Sequence, residues 1–246
     1  MTISERVRTP AVAWAIHLFT ASGVLFGLLG LLAVLDGSPR AALLWLIVAI
    51  VVDGVDGPMA RAAAVNLHVP TVDGNILDLV IDYVTCVVAP AVFVHQFDLL
   101  PRWFSLPGTG LIMLTSLYVF SRSDLMTKDH YFNGFPAMWN LVVNSMFVLQ
   151  IRPVINVVVI VSLCLLTFMP VKFAHPIRVC KSRFITVPIT VGWLGSMAYL
   201  TATYPKLPLW GESLQWLGIG YVFWLAIERT FFRREADVEA SVVAPA

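Results

Sequence analysis

Residues 51–83 read VVDGVDGPMARAAAVNLHVPTVDGNILDLVIDY, and four aspartates in this stretch decide what surrounds it. Asp53 and Asp56 stand three apart, and Asp78 and Asp82 stand four apart. Spacings of three and four return to one face of a helix. The first pair lies near the end of one apolar run and the second near the start of the next. The stretch therefore predicts two helices joined by Ala62–Asp73, with two carboxylate stripes converging between them.

Working outward, the apolar runs continue through the chain. Of 246 residues, 59% are hydrophobic and 13% charged. A soluble domain carries roughly 45–50% apolar and about 25% charged residues, so this surface is too poor in polar groups to face water all round. Runs near 11–35, 41–61, 74–97, 108–123, 137–150, 153–170, 184–204 and 213–232 approach the length of a membrane span, which needs about 20 apolar residues. The first run exceeds a secretory h-region of about 7–15 residues and is read as a span. Gln150, Arg152 and Pro153 break residues 137–170 into two runs, because Pro and Arg together mark a turn at the surface.

The reading is an all-α integral membrane protein of about eight transmembrane helices with both termini cytoplasmic. Charge tests that count. Eight spans place Arg40, Arg102, Arg152 and Lys206 on the far side and the other twelve of the sixteen basic residues in the cytoplasm, as the positive-inside rule asks. Residues 1–246 read as a single membrane domain, with the motif at 53–82 and a polar tail at 233–246. The net charge of +1 gives no ground for a nucleic-acid partner. Cys86, Cys164 and Cys180 are odd in number, and the first two lie in apolar runs as small buried hydrophobes.

Four acids at membrane depth carry a cost. Each Asp costs about 2.5–3.5 kcal/mol at a span centre, so four cost on the order of 10 kcal/mol before position and pairing reduce it. Converging carboxylates repel one another unless cations neutralise them, and divalent ions that prefer oxygen, Mn²⁺ or Mg²⁺, do this best. Gly57 and Gly74 remove side chains where a ligand could approach backbone, and they also suit close helix packing.

Asp53, Asp56, Gly57, Ala60, Arg61, Gly74, Asp78 and Asp82 match every defining position of D-x2-D-G-x2-A-R-x(n)-G-x3-D-x3-D. By that motif the chain resembles the CDP-alcohol phosphotransferase family. The spacer of twelve residues between Arg61 and Gly74 and the segment His130–Pro136 with Trp139–Asn140 resemble its bacterial phosphatidylcholine synthase branch, which joins CDP-diacylglycerol and choline. The resemblance implies a metal pair on Asp53, Asp56, Asp78 and Asp82, with Asp82 as general base. It implies donor contacts at Gly57, Ala60, Arg61 and Gly74, a homodimer, and a place in the bacterial inner membrane with the site toward the cytoplasm.

A quaternary ammonium is held by aromatic faces, so Tyr83, Tyr118, Tyr131, Phe132, Phe135 and Trp139 are candidates for a choline cage, or for the aromatic belt that membrane helices carry anyway. Lys172, Arg178, Lys181 and Arg183 are candidates for lipid-phosphate contacts, or for charge that sets topology. His17, His68, His95, His130 and His175 show no ligand spacing and take no role. Serine, glycerol phosphate or inositol remain alternative acceptors. A cation transporter is a more distant reading, since it would be expected to show broken helices or an internal repeat.

Overall fold

The computed structural model describes residues 9–127, 129–175 and 183–232. The chain runs α1 (Pro10–Leu35), α2 (Pro39–Ala62), α3 (Val65–His68), α4 (Gly74–Gln96), α5 (Arg102–Phe120), β1 (Tyr131–Asn133), α6 (Trp139–Val148), α7 (Pro153–Leu166), β2 (Lys172–Ala174), α8 (Arg183–Thr203) and α9 (Leu209–Ile227). Helix starts follow from local chemistry. Thr9 caps α1 by accepting from the Val12 N–H at 3.3 Å, and Pro10, Pro39 and Pro153 occupy first-turn positions where no N–H is needed.

Every predicted apolar run forms a helix. α1, α2, α4, α5 and the Phe184–Thr203 part of α8 are long and apolar enough to cross a membrane. The outward faces agree with a lipid surround: Leu18, Leu106, Leu114, Val158 and Leu209 are exposed, while Asn140, Asn144, Asn156 and Gln215 are buried between helices. The chain is a multi-pass membrane protein. α6 and α7 have 10 and 14 residues, about 15 and 21 Å of helix at 1.5 Å per residue, and neither alone reaches across a hydrocarbon core of about 30 Å.

Two features depart from the sequence reading. α5 starts at Arg102, six residues before the expected 108, and carries Pro107 inside it. An all-α description also omits a small sheet. β1 and β2 pair antiparallel in the register Tyr131↔Ala174, Phe132↔Phe173 and Asn133↔Lys172. Gly134, at φ +89, follows β1 and lies against the end of α7: an added Cβ would sit 2.4 Å from the Thr167 carbonyl oxygen. The Phe135 N–H reaches the Leu166 carbonyl at 3.3 Å, so the loop satisfies a helix-end acceptor. That docking ends α7 at Leu166 rather than near 170.

α9 passes into a π turn, Glu228–Phe232, which is tied to this sheet. The Arg229 Nε donates to Asp129 Oδ2 at 2.7 Å, and both side chains are about nine-tenths buried. Arg229 also lies 5.6 Å from the Tyr131 ring centroid, and the Lys172 N–H donates to Thr230 Oγ1 at 2.9 Å.

Candidate active site

α1, α2 and α4 enclose the four aspartates. The spacer between α2 and α4 folds back instead of looping out: Ala63, Val65 and Val69 bury against Ala13 and Ile16 of α1. It thus returns the chain to the same end of the bundle. α2 brings Asp53 and Asp56, and Pro58 within the same helix withdraws the N–H that would bond to the Gly54 carbonyl. α4 begins under the cap of Asp73, whose Oδ1 accepts from the Asn75 and Ile76 N–H groups at 2.9 and 3.3 Å.

Directly after Asp82, α4 widens into a π turn over Tyr83–Val88, with the Ala89 N–H reaching the Val84 carbonyl five residues back. Such turns often mark functional sites. Pro90 has no N–H to bond to Cys86 four residues earlier, which removes one helical bond at this point.

The resulting pocket is lined by Thr20 and Gly23 of α1, by Asp53 and Asp56 of α2, and by Asp78, Ile81, Asp82 and Thr85 of α4. One carboxylate oxygen from each of Asp53, Asp78 and Asp82 lies within 4.8 Å of the others. Asp56 lines the same pocket and is buried. At such separations an ionised pair repels by about 3 kcal/mol for an effective dielectric of 20, less where water reaches exposed Asp53. Oxygen-only donors that already converge fit a hard divalent cation.

Small residues let α1 come close enough to form the third wall. An added Cβ at Gly23 would stand 2.9 Å from Ile81 Cγ2, and one at Gly27 would stand 3.0 Å from Thr85 Cγ2. This is small-residue helix packing. Thr20 and Gly23 were not singled out from sequence. The signal available was the Gly23, Gly27, Gly30 spacing within the first apolar run.

The other motif residues stand beside the aspartates on the same helices and do not line this pocket. Gly57 and Ala60 are half-buried on α2, Arg61 is exposed in its last turn, and exposed Gly74 heads α4. None of the six candidate cage aromatics lines the carboxylate pocket. Tyr83 donates to the Met113 carbonyl at 3.2 Å, and Tyr118 packs on Phe168 with Arg122 over its ring. Tyr131 is buried under Arg229, Phe132 stacks on His175, and Phe135 packs between Trp139 and Phe173. Trp139 is buried, its Nε1 donating to Ser116 Oγ at 2.9 Å.

Of the basic candidates, Lys172 sits in β2 with its Nζ on Asn133 Oδ1. Arg183 opens α8, and Arg178 and Lys181 lie outside the described residues. Cys86 and Cys164 are buried and unpaired as expected. Asn140 ties α6 to α4 by donating to Cys86 Sγ at 3.2 Å.

Known proteins carry the same pattern. Residues 13–169 match the CDP-alcohol phosphatidyltransferase family, a span that contains the whole aspartate motif. The chain is 39% identical to a phosphatidylcholine synthase of Pseudomonas aeruginosa, over 90% of this chain and 94% of that protein. It is 35% identical to proteins of the same name from Borreliella burgdorferi, covering 80% of this chain and 83% of the relative, and from Mesorhizobium japonicum, covering 83% and 78%. With four aspartates gathered by α2 and α4 and a match over most of its length, the chain belongs to the CDP-alcohol phosphatidyltransferase family.

Proposed function

We propose that this enzyme transfers the phosphatidyl group of CDP-diacylglycerol to choline, releasing CMP. The observation that carries the reading is the convergence of Asp53, Asp78 and Asp82 in a pocket walled by the motif helices. The similarity to phosphatidylcholine synthases over most of the chain supports choline as the acceptor.

In this reading Asp53, Asp56, Asp78 and Asp82 hold two divalent ions, Mn²⁺ or Mg²⁺. When bound, such ions neutralise the donor diphosphate and stabilise the phosphate of departing CMP. The chain's own groups do the rest. Gly57, Ala60 and Gly74 leave room for the cytidine, and Arg61 faces the donor at the mouth. Asp82 takes the proton of the choline hydroxyl as its oxygen attacks the phosphorus in line. Tyr83, next to Asp82 on the π turn, offers the aromatic face nearest in sequence for the ammonium.

About eight spans with both termini cytoplasmic cross the bacterial inner membrane in this reading, the short α6 and α7 completing theirs with flanking chain, and the four carboxylates open toward the cytoplasm. Residues 1–246 act as one domain, assembled as a homodimer. Lys172, Arg178, Lys181 and Arg183 are the basic groups assigned in this reading to the donor's phosphates.

The test is an assay of purified protein with CDP-diacylglycerol, Mn²⁺ and labelled choline, beside serine, glycerol phosphate and inositol. Label is expected in lipid from choline. Incorporation from serine alone would overturn the acceptor while leaving the transferase chemistry intact.

A further inference from the structure

The wall that α1 adds to the pocket does not end at Thr20. One turn nearer the end of the bundle where α4 begins, His17 occupies the same side of the helix. It is only 7% exposed, yet its Nε2 has no hydrogen-bond partner among the described residues. A buried polar atom left unpaired is costly and rare, so the imidazole calls for a ligand or an explanation.

Its surroundings narrow the choice. The ring is held edge-on by Trp14, with centroids 6.1 Å apart. Its Cε1, the carbon between the two ring nitrogens, faces Gly74: a Cβ built on that glycine would lie 3.6 Å from it. Gly74 is exposed and opens α4, so the imidazole edge borders the space above the first turn of the helix that carries Asp78 and Asp82. Ala63, Val65 and Val69 cover the neighbouring α1 residues Ala13 and Ile16.

A free helix start would ordinarily hold an anion through its own amides. Here Asp73 already accepts from the Asn75 and Ile76 N–H groups, and its negative charge opposes a phosphate. A hydrogen-bond donor at this place must come from another element, and His17 supplies one.

We propose that His17 is a binding residue for the nucleotide head of the donor, its Nε2–H donating to an oxygen of the nucleoside diphosphate as it passes Gly74. This rests on the donor reading above and gives α1, so far a wall of the pocket, a polar contact to the donor. The contact needs the ring proton on Nε2.

The experiment is calorimetric binding of CDP, and in parallel CMP, to the purified full chain in detergent with Mn²⁺. Wild type is compared with His17→Phe, which keeps a flat ring without the donor, and with His17→Gln, which keeps a donor. His17→Phe is expected to weaken CDP binding about tenfold, the worth of one hydrogen bond to a charged acceptor. His17→Gln should recover most of that loss, and the KM for choline and the melting temperature should stay at wild-type values in both. An equal loss for CMP would place the contact on the phosphate nearest the ribose, and a loss for CDP alone on the outer phosphate. Wild-type CDP affinity in His17→Phe would overturn the proposal, as would a loss in both variants that tracks melting temperature. Failure of wild type to bind CDP would instead overturn the donor reading on which it rests.

Discussion

Asp53, Asp78 and Asp82 bring carboxylate oxygens within 4.8 Å of one another, and the roles of the three differ by what adjoins them. Asp82 alone is followed by the π turn, which breaks the regular helix at the point where an acceptor must meet the base. Asp82→Asn keeps the shape and an oxygen but removes the proton acceptor. Turnover is expected to fall by at least about a hundredfold while CDP still binds, as calorimetry beside a radiolabel assay would reveal; full activity would refute its role as base. Gly27→Val tests the opposite wall. An added Cβ there meets Thr85 at 3.0 Å and Val84 at 3.2 Å, and forced separation of packed elements costs about 1–3 kcal/mol. A lower melting temperature together with lost activity is the expected result. The carboxylate face was legible because a helix repeats every three to four residues, and a single helix suffices to see it. Thr20, Gly23 and His17 were not legible, since their partners lie in a helix some sixty residues away and no local period encodes that contact. The six aromatics show the limit of sequence in the other direction: a ring that packs on Phe168 or Phe173 looks in sequence the same as one that faces a cation.

Elements show the same division between local and distant causes. Runs of apolar residues between Pro and polar breaks marked all eight long helices, and most bounds fell within a few residues. β1 and β2 escaped because three-residue strands pair across a gap of about forty residues, and only the close approach of Gly134 to Thr167 makes their docking possible. Gly134→Ala should therefore be among the most damaging small changes in the chain. It places a Cβ against a backbone carbonyl at a positive φ, a combination expected to cost more than about 1 kcal/mol, readable as a drop in the thermal midpoint in detergent. The clasp between this sheet and α9 carries its own pH signature. Burial pushes the Asp129 carboxyl up, but hydrogen bonds from Arg229 and Thr127 outweigh burial and leave it below the usual carboxylate range. A depressed folded pKa means the clasp stabilises fully at pH values above the unfolded value of about 3.9 and loses that contribution as pH falls through the folded value. Melting temperature measured from neutral pH downward should then show an acid-side decline that Asp129→Asn reduces; an unchanged profile in that variant would dismiss the clasp as a contributor.

At the scale of the molecule, α1, α2 and α4 meet around the charge of this pocket, so whatever neutralises that charge also holds three helices together. Without a cation, mutual repulsion among the aspartates works against the bundle; with one, the same groups become its strongest cross-link. Mn²⁺ at a hundred times its dissociation constant contributes about 2.7 kcal/mol, which for a chain of this length corresponds to a rise of roughly 5–10 °C in melting temperature. Asp78→Asn should reverse the ranking. In chelator it removes one of the repelling charges and melts at or above wild type; in Mn²⁺ it lacks a ligand and gains little, falling below wild type. Thermal melts of the two proteins in both buffers therefore cross, and a generic loss of packing cannot produce that crossing, since it would lower the variant in both conditions. Parallel curves would mean that the aspartates are balanced by protein groups, and the metal-assisted mechanism would fall with them.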